Sequence, residues 1–320
     1  MSTVVLSGSG DSLGRRVASA LQAAEGVDRV VLLDDHSIHE PDLKARIEGA
    51  TAVVHLAGGL EDTRALLDAA GAVGVQHVAL LSSATVYGAW ANNPVPLTED
   101  AALRPNTDLE FAVRAAERER LASDWKFEHP GTTVAVLRPA VPVAENATGW
   151  LASGLREAAS VRPAGPDDPP AQYIHLDDLA AAIVVAHTRR LDGPYNVSPD
   201  GWITGEKLRA LEGVPRVRVP EPIARRLAWL RWKLDPRSAP PGLLPYTTYP
   251  WVVANDRLKA EGWRASFSNE EAYVAGHRAA PWSTVSPQRR QELALAGAAI
   301  GLVALVAGAV ALIRRAARRA

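Results

Sequence analysis

Three glycines near the N-terminus have the spacing of a turn that binds a dinucleotide. Gly8, Gly10 and Gly14 lie between an apolar run at residues 4–6 and a helical pattern that begins near Arg15. In a strand–turn–helix unit, Gly8 would make the tight turn and Gly14 would let the helix pack closely against the strand. The free N–H groups of the helix would then face a pyrophosphate. The segment therefore predicts a dinucleotide site.

Asp34 supplies the second part of this pattern. It follows Gly14 by 20 residues, at the end of the second predicted strand, where a carboxylate accepts hydrogen bonds from a ribose 2′-hydroxyl. A second carboxylate, Asp35, disfavours the 2′-phosphate of NADP. Arg15 and Arg16 moderate that preference, because guanidinium groups attract phosphate. The predicted cofactor is NAD rather than NADP.

One residue of the turn is unfavourable to phosphate. If Gly8 and Gly14 are the outer glycines of a G-x-x-G-x-x-G loop, the middle position is Asp11. A side chain there obstructs close approach of the backbone, and its carboxylate repels pyrophosphate and can cap the helix itself. The adjacent Gly10 could ease the turn. We therefore expect dinucleotide binding that Asp11 weakens.

The elements that must position these residues alternate along the first 200 residues. Unbroken apolar strands between helical patterns are typical of a parallel sheet that is covered on both faces. The predicted strands are residues 4–6, 30–33, 53–57, 78–81 and 134–137, and the helices between them are 15–24, 43–49, 63–73 and about 109–127. The sequence predicts an α/β fold with a doubly wound, Rossmann-type parallel sheet.

The chain beyond residue 150 is less regular. We expect a Rossmann domain from residues 1–150 and about 171–200, and a smaller, mainly helical substrate domain from about 151–170 and 201–282. Seven of the nine tryptophans lie from Trp150 onward, where most are expected to be packing anchors. Asp177 and Asp178 precede an apolar helix and are expected to cap it and to form hydrogen bonds between the domains.

Short motifs after the predicted strands resemble the extended short-chain dehydrogenase/reductases, the NAD-dependent epimerase/dehydratase group. Besides the glycine turn, the motifs are His55-Leu56-Ala57, Ser82-Ser83-Ala84-Thr85-Val86-Tyr87-Gly88, Leu137-Arg138-Pro139, Ile174-His175-Leu176-Asp177-Asp178-Leu179, Tyr195-Asn196-Val197 and Gly262-Trp263. The resemblance covers roughly residues 3–280. It implies a dinucleotide that contacts Ala57, and a homodimer packed through the helices near Leu109 and Asp62.

In that family a hydride passes between nicotinamide and a carbon that bears a hydroxyl, often on a nucleotide-linked sugar. The resemblance places Ser83 at the Ser or Thr that holds the hydroxyl. A Tyr moves the proton and a Lys four residues later lowers its pKa, because a phenol of pKa about 10 is a poor base at neutral pH without a nearby cation. Alignment of the flanking motifs puts these two positions on Phe111 and Ala115. Both functional groups are missing.

Other side chains are weaker candidates for proton transfer. Lys126 is roughly three helical turns beyond the expected position, and nothing in the spacing of Glu110 or His55 favours them. A His beside apolar strand residues is more often a hydrogen-bonded structural group, and Tyr87 is expected to be a packing or substrate-wall residue. No cluster of His, Asp and Glu has the spacing of a metal site, so no metal is expected.

The stretch after Asp34 departs from the family in another way. Residues 35–41 are too few for the usual third strand, which we expect to be reduced or absent together with the Asp that contacts adenine. Ser37 stands near that place.

Residues 293–313 predict a single C-terminal transmembrane helix. These 21 residues contain no charged or strongly polar side chain, and arginines flank them on both sides. A helix of that length spans about 31 Å, close to the hydrocarbon core of a bilayer. The alternative is a buried helix in an oligomer. The N-terminus has no signal-peptide pattern, so the globular part is expected on the cytoplasmic side.

Composition excludes several functions. The chain has 35 basic and 36 acidic residues and a formal net charge of −1, so it does not have the charge balance typical of nucleic-acid binding. The absence of cysteine excludes disulfides, thiolate metal sites and a cysteine nucleophile.

Two functions remain open. One is a membrane-anchored, active NAD-dependent oxidoreductase or epimerase on a nucleotide- or lipid-linked sugar, with Ser83 and an unidentified proton carrier. The other is a catalytically degraded dinucleotide-binding protein that acts as a regulatory or scaffold subunit at the membrane. Phe111 and Ala115 favour the second, because each removes a distinct chemical function.

Overall fold

A parallel sheet organises the part of the chain that the computed structural model describes, residues 2–34, 37–145, 147, 149–163, 168–212 and 217–277. The strands are β1 (Thr3–Ser7), β2 (Arg29–Leu33), β3 (Ala52–His55), β4 (His77–Leu81), β5 (Thr133–Pro139), β6 (Val141–Val143), β7 (Val161–Pro163), β8 (Tyr173–His175), β9 (Gly193–Val197) and β10 (Val217–Val219). The helices are α1 (Ser12–Gln22), α2 (Leu43–Arg46), α3 (Leu60–Ala72), α4 (Glu110–Glu128), α5 (Trp150–Ala158), α6 (Leu176–Thr188), α7 (Gly205–Glu212), α8 (Glu221–Leu234), α9 (Asp256–Ala260) and α10 (Asn269–Gly276).

The main sheet has the order β2-β1-β3-β4-β5-β9, and every neighbouring pair is parallel. The chain passes from β1 to β2 on one side and then returns to β3 on the other side of β1. Ligands of open α/β sheets bind outside the carboxyl ends of the strands at such a reversal. The predicted α/β class and parallel Rossmann-type sheet are confirmed.

Both faces of this sheet are covered, which explains why β1 is apolar at three successive positions, Val4, Val5 and Leu6. Alternate side chains of a strand point to opposite faces. Val4 and Leu6 share a buried cluster with residues of α1 and α6, such as Leu21 and Ile183. Val5 instead belongs to a cluster on the opposite face with residues of α3 and α4. A strand buried on both sides must be apolar at consecutive positions.

The expected loss of a third strand agrees with the described part of residues 35–41. Ser37–His39 form a short 3-10 helix, and β2 is the edge strand of the sheet on that side. Asp35 lies outside the described residues.

The turn between β1 and α1 depends on two glycines. Gly8 has a φ of +78°, a conformation that L side chains rarely adopt. A Cβ on Gly14 would lie 2.4 Å from the carbonyl oxygen of Gly8. Gly14 therefore lets α1 pack directly on the turn, as the sequence predicts. Gly10 differs, because a Cβ there would meet no atom within 4 Å.

A buried ion pair joins α4 to β5. Arg138 Nη2 lies 2.6 Å from Glu119 Oε2, and both side chains are buried. Arg138 Nη1 also donates to the Tyr87 hydroxyl at 2.8 Å, and that hydroxyl donates to Asn196 Oδ1 at 2.8 Å. Burial alone would lower the pKa of Arg138, but hydrogen bonds from its guanidinium to Glu119 raise it. The network connects four segments that are distant in sequence.

A third apolar cluster lies beside the sheet and includes Leu109, Leu151, Tyr246 and Tyr273. From residue 201 onward the described chain contributes α7 to α10 and only the short strand β10. The chain forms one compact unit from Met1–Leu211 and Pro215–Arg278. A second unit consists of Glu212–Val214 and Ala279–Ala320. The second unit lies almost entirely outside the described residues. The boundaries at residues 150, 171 and 201 stay a prediction.

The expected packing role of the tryptophans is wrong for most of those described after residue 149. Trp251 and Trp263 are buried, whereas four others are exposed: Trp150, Trp202, Trp229 and Trp232. Two of the exposed residues belong to α8, and only Ala224 of that helix is buried.

The expected cap of α6 is also only partly right. His175 is the N-cap residue, and its Nδ1 accepts from the Asp177 N–H at 3.3 Å. Asp178 instead accepts hydrogen bonds from the backbone N–H groups of Ser266 and Phe267 at 2.8 and 3.0 Å. It therefore ties α6 to the segment before α10.

Within the described ranges, no helix combines the length and the apolar character needed to cross a membrane. The predicted span at residues 293–313 lies outside those ranges.

We expect Glu119→Gln to lower the free energy of unfolding by about 3 kcal/mol, because it leaves a buried guanidinium without its counter-charge. Urea unfolding followed by tryptophan fluorescence measures this. The control is Glu117→Gln, at an exposed position of the same helix, with an expected change within about 0.5 kcal/mol. Equal midpoints for the two variants would contradict the role given to the pair.

A second pair of variants tests the turn. Gly14→Ala is expected to lower the free energy of unfolding by about 1–3 kcal/mol, since the new Cβ meets backbone that must shift. Gly10→Ala is the matched control and should change it by less than about 1 kcal/mol. Thermal unfolding of both proteins measures the difference, and an equal effect would show that the packing at Gly14 is not limiting.

Candidate functional site

A cleft of about 670 Å³ opens beyond the carboxyl ends of β1, β3 and β4. Its walls come from the turn before α1 (residues 11–13), the loop after β3 (56–59), the end of β4 (81–83), one face of α4 (Phe111, Arg114, Ala115 and Arg118) and the segment around the start of α5 (Gly149, Trp150 and Leu151). The structure thus brings together Ala57, Ser83 and the two positions predicted for Tyr and Lys. This is the place where the sheet topology predicts a ligand.

Asp11 occupies the helix N-terminus within this cleft. Its Oδ1 accepts a hydrogen bond from the Gly14 N–H at 2.7 Å, which makes Asp11 the N-cap of α1. An anion of the chain itself therefore satisfies one of the free N–H groups and stands at the positive end of the helix dipole. A pyrophosphate at the same place would have to compete with this carboxylate.

The three glycines and Asp34 do not line the cleft. Gly8, Gly10 and Gly14 form or flank the turn behind it, and Gly8 lies against Ala57, since a Cβ on Gly8 would be 2.9 Å from the Ala57 Cβ. Exposed Asp34 follows β2, and its Oδ1 accepts from the N–H and hydroxyl of Ser37 at 2.8 and 2.6 Å. Their contacts to a dinucleotide stay a prediction.

Ser83 lies in the cleft wall with a partly engaged hydroxyl. Its Oγ accepts from the Thr85 N–H at 3.2 Å and from the Thr85 hydroxyl at 3.0 Å, and so caps a 3-10 turn. Because both bonds are accepted, the Ser83 O–H remains a donor. It can hold a ligand oxygen but has no base beside it in these contacts.

Phe111 and Ala115 present only apolar surface to the cleft. They are four residues apart on α4 and so share one face of the helix. The Phe111 ring packs edge-on against Trp150, with centroids 4.8 Å apart and planes at 75°. No Tyr, Lys or His is found among the described residues that line the cleft. The ionisable side chains of the described wall are Asp11, Arg114 and Arg118.

Arg118 is a cleft residue that the sequence analysis missed. It lies three residues beyond Ala115, on the same helix face, and that spacing is the signal that could have identified it. Its Nε donates to the Thr63 hydroxyl at 3.1 Å and its Nη2 to the Leu81 carbonyl at 3.2 Å. Burial lowers the pKa of Arg118 to about 10, so it is still a cation at neutral pH. It gives the wall an affinity for anions.

His55 has the structural role expected for it. Its Nδ1 lies 2.5 Å from the Ser7 hydroxyl and its Nε2 lies 2.9 Å from the Thr63 hydroxyl. Burial, assisted by the charge of Arg118, lowers the pKa of His55 to about 3, so the ring is neutral. His55 orients neighbouring hydroxyls rather than exchanging protons with a ligand.

The remaining acid–base candidates lie outside the cleft wall. Tyr87 is buried in the Arg138 network, and burial raises its pKa to about 12. Lys126 pairs with Asp192 at 2.6 Å, and Glu110 pairs with Arg114 on the surface. In the described ranges, no group of three His, Cys, Asp or Glu side chains is placed to hold a metal ion.

Parts of this chain are similar in sequence to known proteins. Residues 59–198 match the model of the NAD dependent epimerase/dehydratase family. The uncharacterized protein y4nG of Sinorhizobium fredii (strain NBRC 101917 / NGR234) is 27% identical over 183 residues, which are 55% of this chain and 42% of that relative. The match therefore spans less than half of the relative's length.

Solved structures share the fold at low identity. MoeE5 in complex with UDP-glucuronic acid and NAD has a TM-score of 0.63 and 16% identity, over 86% of this chain and 97% of that one. RMD from Pseudomonas aeruginosa complexed with NADPH has a TM-score of 0.60 and 21% identity, over 86% and 96%.

The family match begins at Gly59, at the end of the loop after β3, and covers the Ser83 segment, α4 and the strands through β9, and so contains most of the cleft wall. With its glycine turn, sheet order and motifs, this chain is similar to the NAD-dependent epimerase/dehydratase family, the extended short-chain dehydrogenase/reductases, whose model matches residues 59–198.

Proposed function

We propose that this protein is a membrane-anchored, dinucleotide-binding member of the family that has lost hydride transfer and acts as a regulatory or scaffold subunit. The observation that carries the proposal is the α4 wall of the cleft. Alignment of the flanking motifs puts the phenol and the cation of the family pattern at Phe111, which packs on Trp150, and at Ala115, and both residues line the cleft. Loss of an acid–base group costs a factor of about 10²–10⁴ in rate, and here both members of the pair are replaced.

The proposed ligand is NAD. MoeE5 binds NAD and RMD binds NADPH, so the family neighbours support a nicotinamide dinucleotide without favouring one of the two. The preference for NAD rests on the carboxylates Asp34 and Asp35, which disfavour a 2′-phosphate.

The residues present fit this ligand in part. Gly8 and Gly14 give the turn its shape, Ala57 and Ser83 line the cleft, and Arg118 adds a buried cation. At the helix N-terminus, the Asp11 carboxylate competes with a pyrophosphate for the Gly14 N–H. Bound nicotinamide could accept or donate a hydride, but the positions that the family pattern uses for the accompanying proton align with Phe111 and Ala115. Binding and chemistry are thus separate properties of this cleft.

The alternative function, an active oxidoreductase or epimerase, is favoured by Ser83 and Arg118. Ser83 retains a hydroxyl donor in the wall, and Arg118 supplies a cation one turn from the expected Lys. The substrate would then be a nucleotide- or lipid-linked sugar. MoeE5 holds UDP-glucuronic acid, which supports a sugar nucleotide as the ligand class.

The membrane anchor, the orientation and the homodimer are parts of this proposal that rest on the sequence. Residues 293–313 supply the single span, and the globular part is proposed to lie on the cytoplasmic side. The homodimer through the helices near Leu109 and Asp62 is implied by family resemblance.

Calorimetric titration of the full chain with NAD, NADH and NADP tests the cofactor. Asp11→Gly should tighten dinucleotide binding about 10-fold, because it removes one repulsive charge at the pyrophosphate position. A Gly N-cap costs only a few tenths of a kcal/mol, so the fold should tolerate the change. Asp68→Asn, at an exposed position of α3 outside the cleft, is the control. If neither the native chain nor the variant binds, the cofactor role is wrong.

Turnover distinguishes the two functions. We expect no hydride transfer when the native chain is mixed with NAD or NADP and sugar nucleotides, measured as absorbance of reduced cofactor. Steady turnover that disappears in Ser83→Ala, but persists in the exposed α4 control Ser123→Ala, would show that the protein is an active enzyme and would overturn the proposal.

A further inference from the structure

Helix α8 carries an apolar stripe on its outer side. Ile223, Leu227, Leu230 and Leu234 are 49%, 44%, 45% and 77% exposed. Their spacing, i, i+4, i+7 and i+11, places them along one face of the helix. The helix is anchored to the rest of the protein through Ala224. Within the described part of the chain, nothing covers this stripe.

The two tryptophans of α8 lie on the other side of the helix from the stripe. Trp229 and Trp232 are both exposed and line a second cavity of about 660 Å³. That cavity also contacts Phe111 and Trp150, which separate it from the first cleft.

The charge of α8 is strongly one-sided. The helix contains four cations, Arg225, Arg226, Arg231 and Lys233, and one carboxylate, Glu221. Arg225 pairs with Glu221 and Arg231 with Glu157, at 2.8 and 3.0 Å. In the described chain no carboxylate pairs with Arg226 or Lys233, and Lys233 Nζ lies 4.8 Å from the centre of the Trp229 ring.

Arg226 and Lys233 are seven residues apart, so they share a face that borders the leucine stripe. An exposed apolar stripe with cations at its border is typical of a helix that lies in the surface of an anionic bilayer. Pairing of α8 with a second copy of itself is less favourable, because each copy brings the same net positive charge.

We propose that α8 lies in the interface of an anionic lipid bilayer, with the leucine stripe among the acyl chains and Arg226 and Lys233 at the phosphates. The proposal rests on the membrane anchor of the proposed function for the nearness of that bilayer. Residue 293 follows His277 by 16 residues, so the chain can reach at most about 55 Å from the end of the described part to the span. The helix that contacts lipid is also a wall of the cavity beside the cleft.

The absence of cysteine makes the test direct. Leu230→Cys in the full chain is labelled with an environment-sensitive fluorophore, and the protein is reconstituted in vesicles of phosphatidylcholine with or without phosphatidylglycerol. Quenching by nitroxide-labelled lipid reports contact with the bilayer. The matched control is Phe127→Cys, at an α4 residue that is 90% exposed.

The label at position 230 should be quenched and shifted to the blue in the anionic vesicles, and the label at 127 should be unaffected. Arg226→Gln with Lys233→Gln should shift the equilibrium about 30-fold toward the undocked state, because each cation near an anionic surface contributes about fivefold. Equal quenching at 230 with and without phosphatidylglycerol, or no change in the double variant, would overturn the electrostatic part of the proposal.

Carbonate extraction of the same vesicles tests the anchor separately. A chain that is retained while the label at 230 stays unquenched overturns the α8 proposal and leaves the anchor intact. A chain that is extracted, but whose label is quenched by anionic vesicles, supports the α8 proposal and contradicts the anchor.

An unquenched label in a protein that cross-links into pairs of chains would show that a second copy covers the stripe. An unquenched but buried label without cross-linking would show that the C-terminal segment covers it. Either result contradicts binding to lipid.

Discussion

Glu119 and Arg138 form an ion pair where almost no water reaches, and the position of α4 depends on it. A buried pair of this kind contributes less to net stability than to specificity, because desolvation offsets much of the attraction. Removal of one of the two charges destabilises the fold, because the other charge is left buried without a partner. The pair therefore restricts the positions that α4 can take against β5. That placement puts Phe111, Ala115 and Arg118 on the wall of the cleft. Ser82, which donates to Glu119, joins the end of β4 to the same arrangement.

The turn before α1 shows how stability and binding compete for the same group. The Gly14 N–H can bond a ligand anion or the Asp11 carboxylate, and here it bonds Asp11. A cap of this type stabilises a helix by about 1 kcal/mol in the absence of any ligand. The chain therefore keeps the shape of a dinucleotide-binding turn while a part of its binding capacity is satisfied internally.

Aromatic side chains form the boundary between the cleft and the cavity beside it. Phe111 and Trp150 form a partition between two cavities of similar volume, and Trp229 and Trp232 extend the aromatic surface onto α8. On the α4 side of the cleft, Phe111 contributes a ring and Ala115 a methyl group. Exposed apolar and cationic side chains lie next to each other on α8.

The sequence by itself determined the sheet and the turn. Strands such as β1 are apolar at successive positions because both faces are buried, and the cap at Asp11 depends only on residues three apart. Only the tertiary structure determines which face of each helix packs against the rest of the protein. Helical spacing shows that Ala115 and Arg118 share a face, but only the docking of α4 directs that face into the cleft. The sequence likewise could not show that His175 caps α6 or that Trp229 and Trp232 are exposed, because burial depends on neighbours distant in the chain.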